Sequence, residues 1–133
     1  MTAVETLEAS REALACVRRQ RAVVQWLEAG GSEIFSETSP AEDARRLLQA
    51  LEDRASLLGD RAMDVLARLP PGREYGVLVR CYVLGDSLKQ IASAMACDIR
   101  TVTRTKVRGL RMIEEMEDKH AKDADDRQPD PRS

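Results

Sequence analysis

Between Asp98 and Arg111 the chain carries Arg100, Arg104, Lys106, Arg108 and Arg111 against one carboxylate, Asp98. An arginine fork can donate to O6 and N7 of a guanine together, and cations of either kind neutralise phosphate. Arg100 and Arg104 stand one helical turn apart, so with Thr101 and Thr103 beside them they are the candidates for contact with base edges. Lys106, Arg108 and Arg111, together with Lys89 on an earlier segment, are the candidates for phosphate contacts that fix position without reading sequence. A cation-rich helix is often no more than a solvated surface. Here five positive charges against one negative over fourteen residues exceed the chain's own balance of 21 Lys+Arg to 23 Asp+Glu.

Other chemistries find little to work with. The single histidine, His120, sits in a charged tail, so no zinc cluster and no Ser/His/Asp or Cys/His arrangement can be assembled around it. A Gly-rich phosphate loop is missing too. The expectation is a non-enzyme with no catalytic residues, no metal and no cofactor. Cys16, Cys81 and Cys97 are odd in number and widely spaced, which suits small core thiols in a reducing compartment.

The cations are concentrated in one segment. Residues 1–70 carry net −3, residues 71–113 net +5 and residues 114–133 net −4, so the formal net charge of −2 is a cancellation. Aromatic residues are 3%, which argues against sheets and against stacking of single-stranded bases, and no apolar run approaches the roughly 20 residues that span a bilayer. The first residues lack the charged start and apolar stretch of a signal peptide, so the expected location is the cytoplasm, with no membrane partner.

The elements that must position these residues follow from periodicity and caps. Leu7, Leu14, Val17, Val24 and Leu27 predict a helix over 3–28, and residues 30–38 read as a loop. Ser39-Pro40-Ala41-Glu42 predicts a helix start with a capping box. From there Ala44, Leu48, Leu51, Ala55, Leu58, Ala62, Val65 and Leu69 form a heptad-like seam. Folding back on the first helix as an antiparallel hairpin is favoured, and a homodimer through the Ala44–Leu69 seam is the competing use of it. Gly59 inside this helix marks a bend or a close approach.

Pro70-Pro71-Gly72 is the sharpest boundary in the chain. After it come a short helix from Glu74 to Leu84, burying Val77, Leu78, Cys81, Tyr82 and Leu84, and a stop at Gly85. A helix of about ten residues follows from the capping box Ser87-Leu88-Lys89-Gln90, and then one from Asp98 to about Asp118. The expected fold is all-α: an antiparallel hairpin over 1–70, a three-helix helix-turn-helix domain over 71–118, and a disordered acidic tail over 119–133.

Ala92 on the first helix of the pair, Ala96 in the turn and Val102 on the second fill the small, compact and branched positions that a helix-turn-helix requires. The runs Leu78-Val79-Arg80-Cys81-Tyr82-Val83-Leu84-Gly85-Asp86-Ser87-Leu88-Lys89-Gln90-Ile91-Ala92 and Asp98-Ile99-Arg100-Thr101-Val102-Thr103-Arg104, with Arg108-Gly109-Leu110, resemble phage-encoded regulators with a sigma-factor region-four-like helix-turn-helix. These are the RinA and ArpU-like late transcription regulators. The likeness covers about 40 residues.

Ala96 stands where a turn Gly is usual, Cys97 where Val is, Thr105 where Ile is and Gly109 where Ala is. The last two are expected to weaken the packing or rigidity of the recognition helix. Arg100, Thr101 and Arg104 replace the family's commoner Glu, Arg and Gln, so no sequence preference carries over. The resemblance implies a regulator that reads the major groove of double-stranded DNA with the helix from Asp98. The competing reading is a module that binds RNA polymerase or another protein through the same domain without reading DNA. The acidic hairpin and tail are either solvated faces or surfaces that touch polymerase and damp nonspecific binding.

Overall fold

The computed structural model describes residues 1–30 and 39–126, with side chains to Lys122, and the described residues are all-α. Helix α1 spans Ala3–Glu28 and α2 spans Pro40–Leu66. Helix α3 covers Arg73–Leu78 and runs directly into a π-helical turn, Val79–Val83; α4 is Leu88–Ala94 and α5 is Ile99–Asp126. Apart from Gly30, the expected loop over 30–38 lies outside the described residues.

Thr2 caps α1 with a reciprocal box, its hydroxyl accepting from Glu5 N and its own N–H donating to the Glu5 carboxylate, both at 3.1 Å. Ser39 caps α2 by accepting from Glu42 N, with Pro40 in the first position. The return bond that would complete the expected box is not made there. Contacts between α1 and α2 fix an antiparallel register. Arg45 meets Glu28 at 2.9 Å, Arg21 meets Glu52 at 3.4 Å, and Ala13 and Val17 pack with Ala55 and Leu58.

The seam residues Ala44, Ala55, Leu58, Ala62, Val65 and Leu69 are buried, and Leu48 and Leu51 are half-buried. The seam is therefore covered by α1 within the chain, which removes it as a surface for a homodimer. Gly59 is not a close approach, because a Cβ added there would meet nothing within 4 Å.

Val77, Leu78, Cys81 and Tyr82 are buried as expected, but Leu84 is 53% exposed. In a regular helix Leu84 would follow Val77 and Cys81 onto the inner face. The widened turn, in which Leu84 N donates to Val79 O at 3.0 Å, rotates it outward before Gly85 ends the helix at φ +73°.

The principal core crosses the Pro70-Pro71-Gly72 boundary. Ala3 and Leu7 of α1 and Ala62 and Leu66 of α2 share it with Leu78, Tyr82, Ile91, Val102 and Ile113. Polar contacts cross as well: Ser10 Oγ donates to Tyr82 O at 2.8 Å, and Tyr82 Oη donates to Glu8 at 3.0 Å. Burial and the neighbouring Glu8 carboxylate push the Tyr82 phenol well above its ordinary range. The hairpin is thus one wall of the core that holds the C-terminal helices.

Helix α5 runs eight residues past its expected end at Asp118, so 119–126 are helical where disorder is expected from the sequence. Residues 127–133 lie outside the described residues. At about 1.5 Å per residue α5 is roughly 42 Å long, much longer than its packing partners α3 and α4.

Candidate nucleic-acid interface

The turn between α4 and α5 sets the direction of the basic helix. Helix α4 begins with a full capping box, Ser87 Oγ accepting from Gln90 N at 3.1 Å and Ser87 N donating to Gln90 Oε1 at 2.8 Å. It ends with Cys97 N donating to Ala92 O and Ala96 N donating to Ser93 O, while Ala96 takes φ +52°. That closure satisfies the last carbonyls of α4 and needs a left-handed residue, a position where glycine is usual. Asp98 then opens α5 by accepting from Thr101 N at 2.7 Å, and the Thr101 side chain together with this backbone hydrogen bond holds its carboxyl below the usual range.

Val102, Thr105, Gly109 and Ile113 form the inner face of α5. A Cβ on Gly109 would sit 2.9 Å from Leu78 Cδ1, so the missing side chain is what lets α5 approach α3. Thr105 is buried with its hydroxyl donating to Thr101 O at 2.8 Å. Both departures from the family pattern are therefore accommodated: one is a close-packing site, the other a satisfied polar group. The expected loss of packing is therefore not found at either position.

Opposite this face, Arg100, Arg104, Val107 and Arg111 recur at spacings of four, three and four, all exposed. Thr103 is exposed beside them; its hydroxyl donates to Ile99 O at 3.0 Å and keeps acceptor capacity. Of the base-contact candidates, Arg100, Thr103 and Arg104 thus lie together, while Thr101 is half-buried to the side with its backbone engaged by Asp98 and Thr105. The phosphate candidates divide further. Arg111 lies on the stripe, and Lys89 is exposed on α4. Lys106 points inward, its Nζ 5.4 Å from the centroid of the buried Tyr82 ring, within cation–π range. Arg108 is drawn to Glu74 at 3.2 Å. The Glu74 carboxyl is held low by its backbone hydrogen bond and by that guanidinium.

No family model, curated protein or solved structure matches the chain. Its reading therefore rests on its own residues.

Val107, which helical spacing from Arg100 and Arg104 predicts to face outward, does so as the one apolar member of the stripe. The inward turn of Lys106 had no comparable signal, since it depends on Tyr82 lying beneath it. Among the described residues no group of three or more His, Cys, Asp or Glu is arranged to hold a metal ion, and no helix is long and apolar enough to cross a membrane.

Proposed function

We propose that the protein is a sequence-specific, double-stranded DNA-binding regulator of transcription, of phage or prophage origin and cytoplasmic, that acts by binding and without catalysis. The observation that carries this reading is the exposed stripe Arg100, Arg104, Val107 and Arg111 on the free face of a helix whose start is fixed by the α4–α5 turn. A helix of about 10–12 Å diameter enters a major groove about 12 Å wide, and residues in its first turns lie nearest the base edges. Arg100 and Arg104 read bases, Thr103 assists at base or backbone, and Arg111 and Lys89 neutralise phosphates. Lys106 and Arg108 hold the helix in place through Tyr82 and Glu74.

Protein binding without DNA readout, with RNA polymerase as the partner, is the competing function. Its residue-level support came from Thr105 and Gly109, and both are accounted for by packing. Duplex binding measured by fluorescence anisotropy across a salt series separates the two. The DNA reading expects affinity to fall linearly with log salt, with a slope near −0.9 for each phosphate neutralised. Binding to a randomised duplex pool that is undetectable at low salt, beside capture of polymerase, would sink it.

A further inference from the structure

The seam of α2 is filled by α1, yet a second strip of α2 faces solvent. Leu47 is 51% and Leu57 52% exposed, Ala50 lies exposed between them, and Val23 of α1, 44% exposed, sits opposite Ala50 in the hairpin register. The charges around Leu57 are sorted. One turn to either side, Asp53 and Asp60 lie on its outer flank, and Arg54 and Arg61 lie on the flank toward α1. All four are exposed, and none enters an ion pair among the described residues; Asp53 accepts only from Gln49 Nε2 at 2.9 Å.

We infer that a second copy of this chain occupies the strip, α2 packing on α2 in parallel about Leu57. Charge decides both the occupant and the direction. With a twofold axis along the helices, the acidic flank of one copy meets the basic flank of the other. Asp53 then comes level with the second copy's Arg54, and Asp60 with its Arg61. An antiparallel pair would set acid against acid and Arg against Arg, which is unfavourable by a similar amount. Ala50 meets Ala50 one heptad from Leu57 and lets the backbones approach, with Val23 and Leu47 closing the edge. The pairing does not depend on the DNA reading. If that reading holds, a parallel pair carries both copies of α5 at the same end, as a two-fold related site requires.

The test uses the full chain. Sedimentation velocity is expected to show a concentration-dependent dimer, and Leu57→Arg is expected to weaken it by at least about tenfold, as loss of a central apolar contact does, with unchanged helical circular dichroism. Asp53→Arg with Asp60→Arg also weakens it, and adding Arg54→Asp with Arg61→Asp restores it. With Cys16 and Cys97 replaced by Ala, Ala50→Cys is expected to give a disulfide-linked dimer on mild oxidation. A monomer at every concentration overturns the inference. So does cross-linking only between Ala50→Cys and Asp64→Cys chains, which is the signature of an antiparallel pair.

Discussion

The two halves of α5 share one helix and one continuous inner face but carry opposite charge. From Ile99 to Ile113 there is no acidic residue and there are five cations; from Glu114 to Asp118 there are four carboxylates and no cation. The first half is held against α3 and α4 by Val102, Thr105 and Gly109. The second lies against α1, where Glu117 accepts from Ala3 N at 2.6 Å. The inner face fixes where the helix lies, and the outer face, free to change sign, fixes what each half can touch. A phosphate backbone that follows the helix past Arg111 meets repulsion within one turn. On the DNA reading proposed above, the docking surface would therefore end there, and Glu117 of the acidic half is engaged by the hairpin.

The sharpest way to break this contrast is to remove one arginine from the stripe. Arg104→Ala is expected to cost about 1–3 kcal/mol, or roughly 5- to 150-fold, on the preferred duplex and little on unrelated ones. Glu115→Gln, on the outer face of the acidic half, should leave affinity unchanged or raise it slightly. Anisotropy titrations of both variants on a duplex selected by the wild-type chain give the comparison directly. A loss from Arg104→Ala that is as large on unrelated duplexes as on the selected one would show that charge as such, not the stripe, carries binding. Lys106→Ala tests the same division from inside: it should lower thermal stability through the lost Tyr82 contact and leave the salt slope of DNA binding unchanged.

Packing of the first half is next in size. Gly109→Ala forces a Cβ against Leu78 and Glu74 and is expected to cost about 1–3 kcal/mol in denaturant unfolding. Gly59→Ala, in open space on α2, should stabilise by up to about 1 kcal/mol, because helical alanine is preferred wherever nothing obstructs it. Two helical glycines thus have opposite signs of effect. The sequence cannot tell them apart, since the difference lies in whether another helix is within reach.

That limit marks what was legible. Helix boundaries, the Ser87 box and the α2 seam follow from local spacing, so Leu58, Ala62 and Ile91 could be placed from residues nearby in the chain. The inward Lys106, the outward Leu84 and the core shared by Leu7 and Tyr82 depend on residues tens of positions away or on one added residue in a turn. Of the stripe, Arg100 and Arg104 were readable as a helical repeat. The capture of Arg108 by Glu74 was not.

Ala96 offers a smaller, stabilising change. Its φ of +52° costs an L-residue about 1–2 kcal/mol, and glycine returns part of that as greater freedom in the unfolded chain. Ala96→Gly is expected to raise stability by about 0.5–1 kcal/mol, visible as a higher midpoint in thermal denaturation. A drop would mean that the methyl group, exposed in this fold, supports the turn in a way its geometry does not suggest.

The smallest effect tests the acidic half alone. Glu117 places a carboxylate at the N-terminus of α1, where unsatisfied N–H groups and the helix dipole favour negative charge. Glu117→Gln keeps an acceptor for Ala3 N but removes the charge, so about 0.3–1 kcal/mol of stability should be lost at low salt and less at high salt, as dipole interactions are screened. A loss independent of salt would assign the contact to hydrogen-bond geometry alone. A loss that fades as salt rises ties the charge reversal along α5 to two jobs at once: it ends the cationic stripe, and it fastens the far half of the helix to the start of the hairpin.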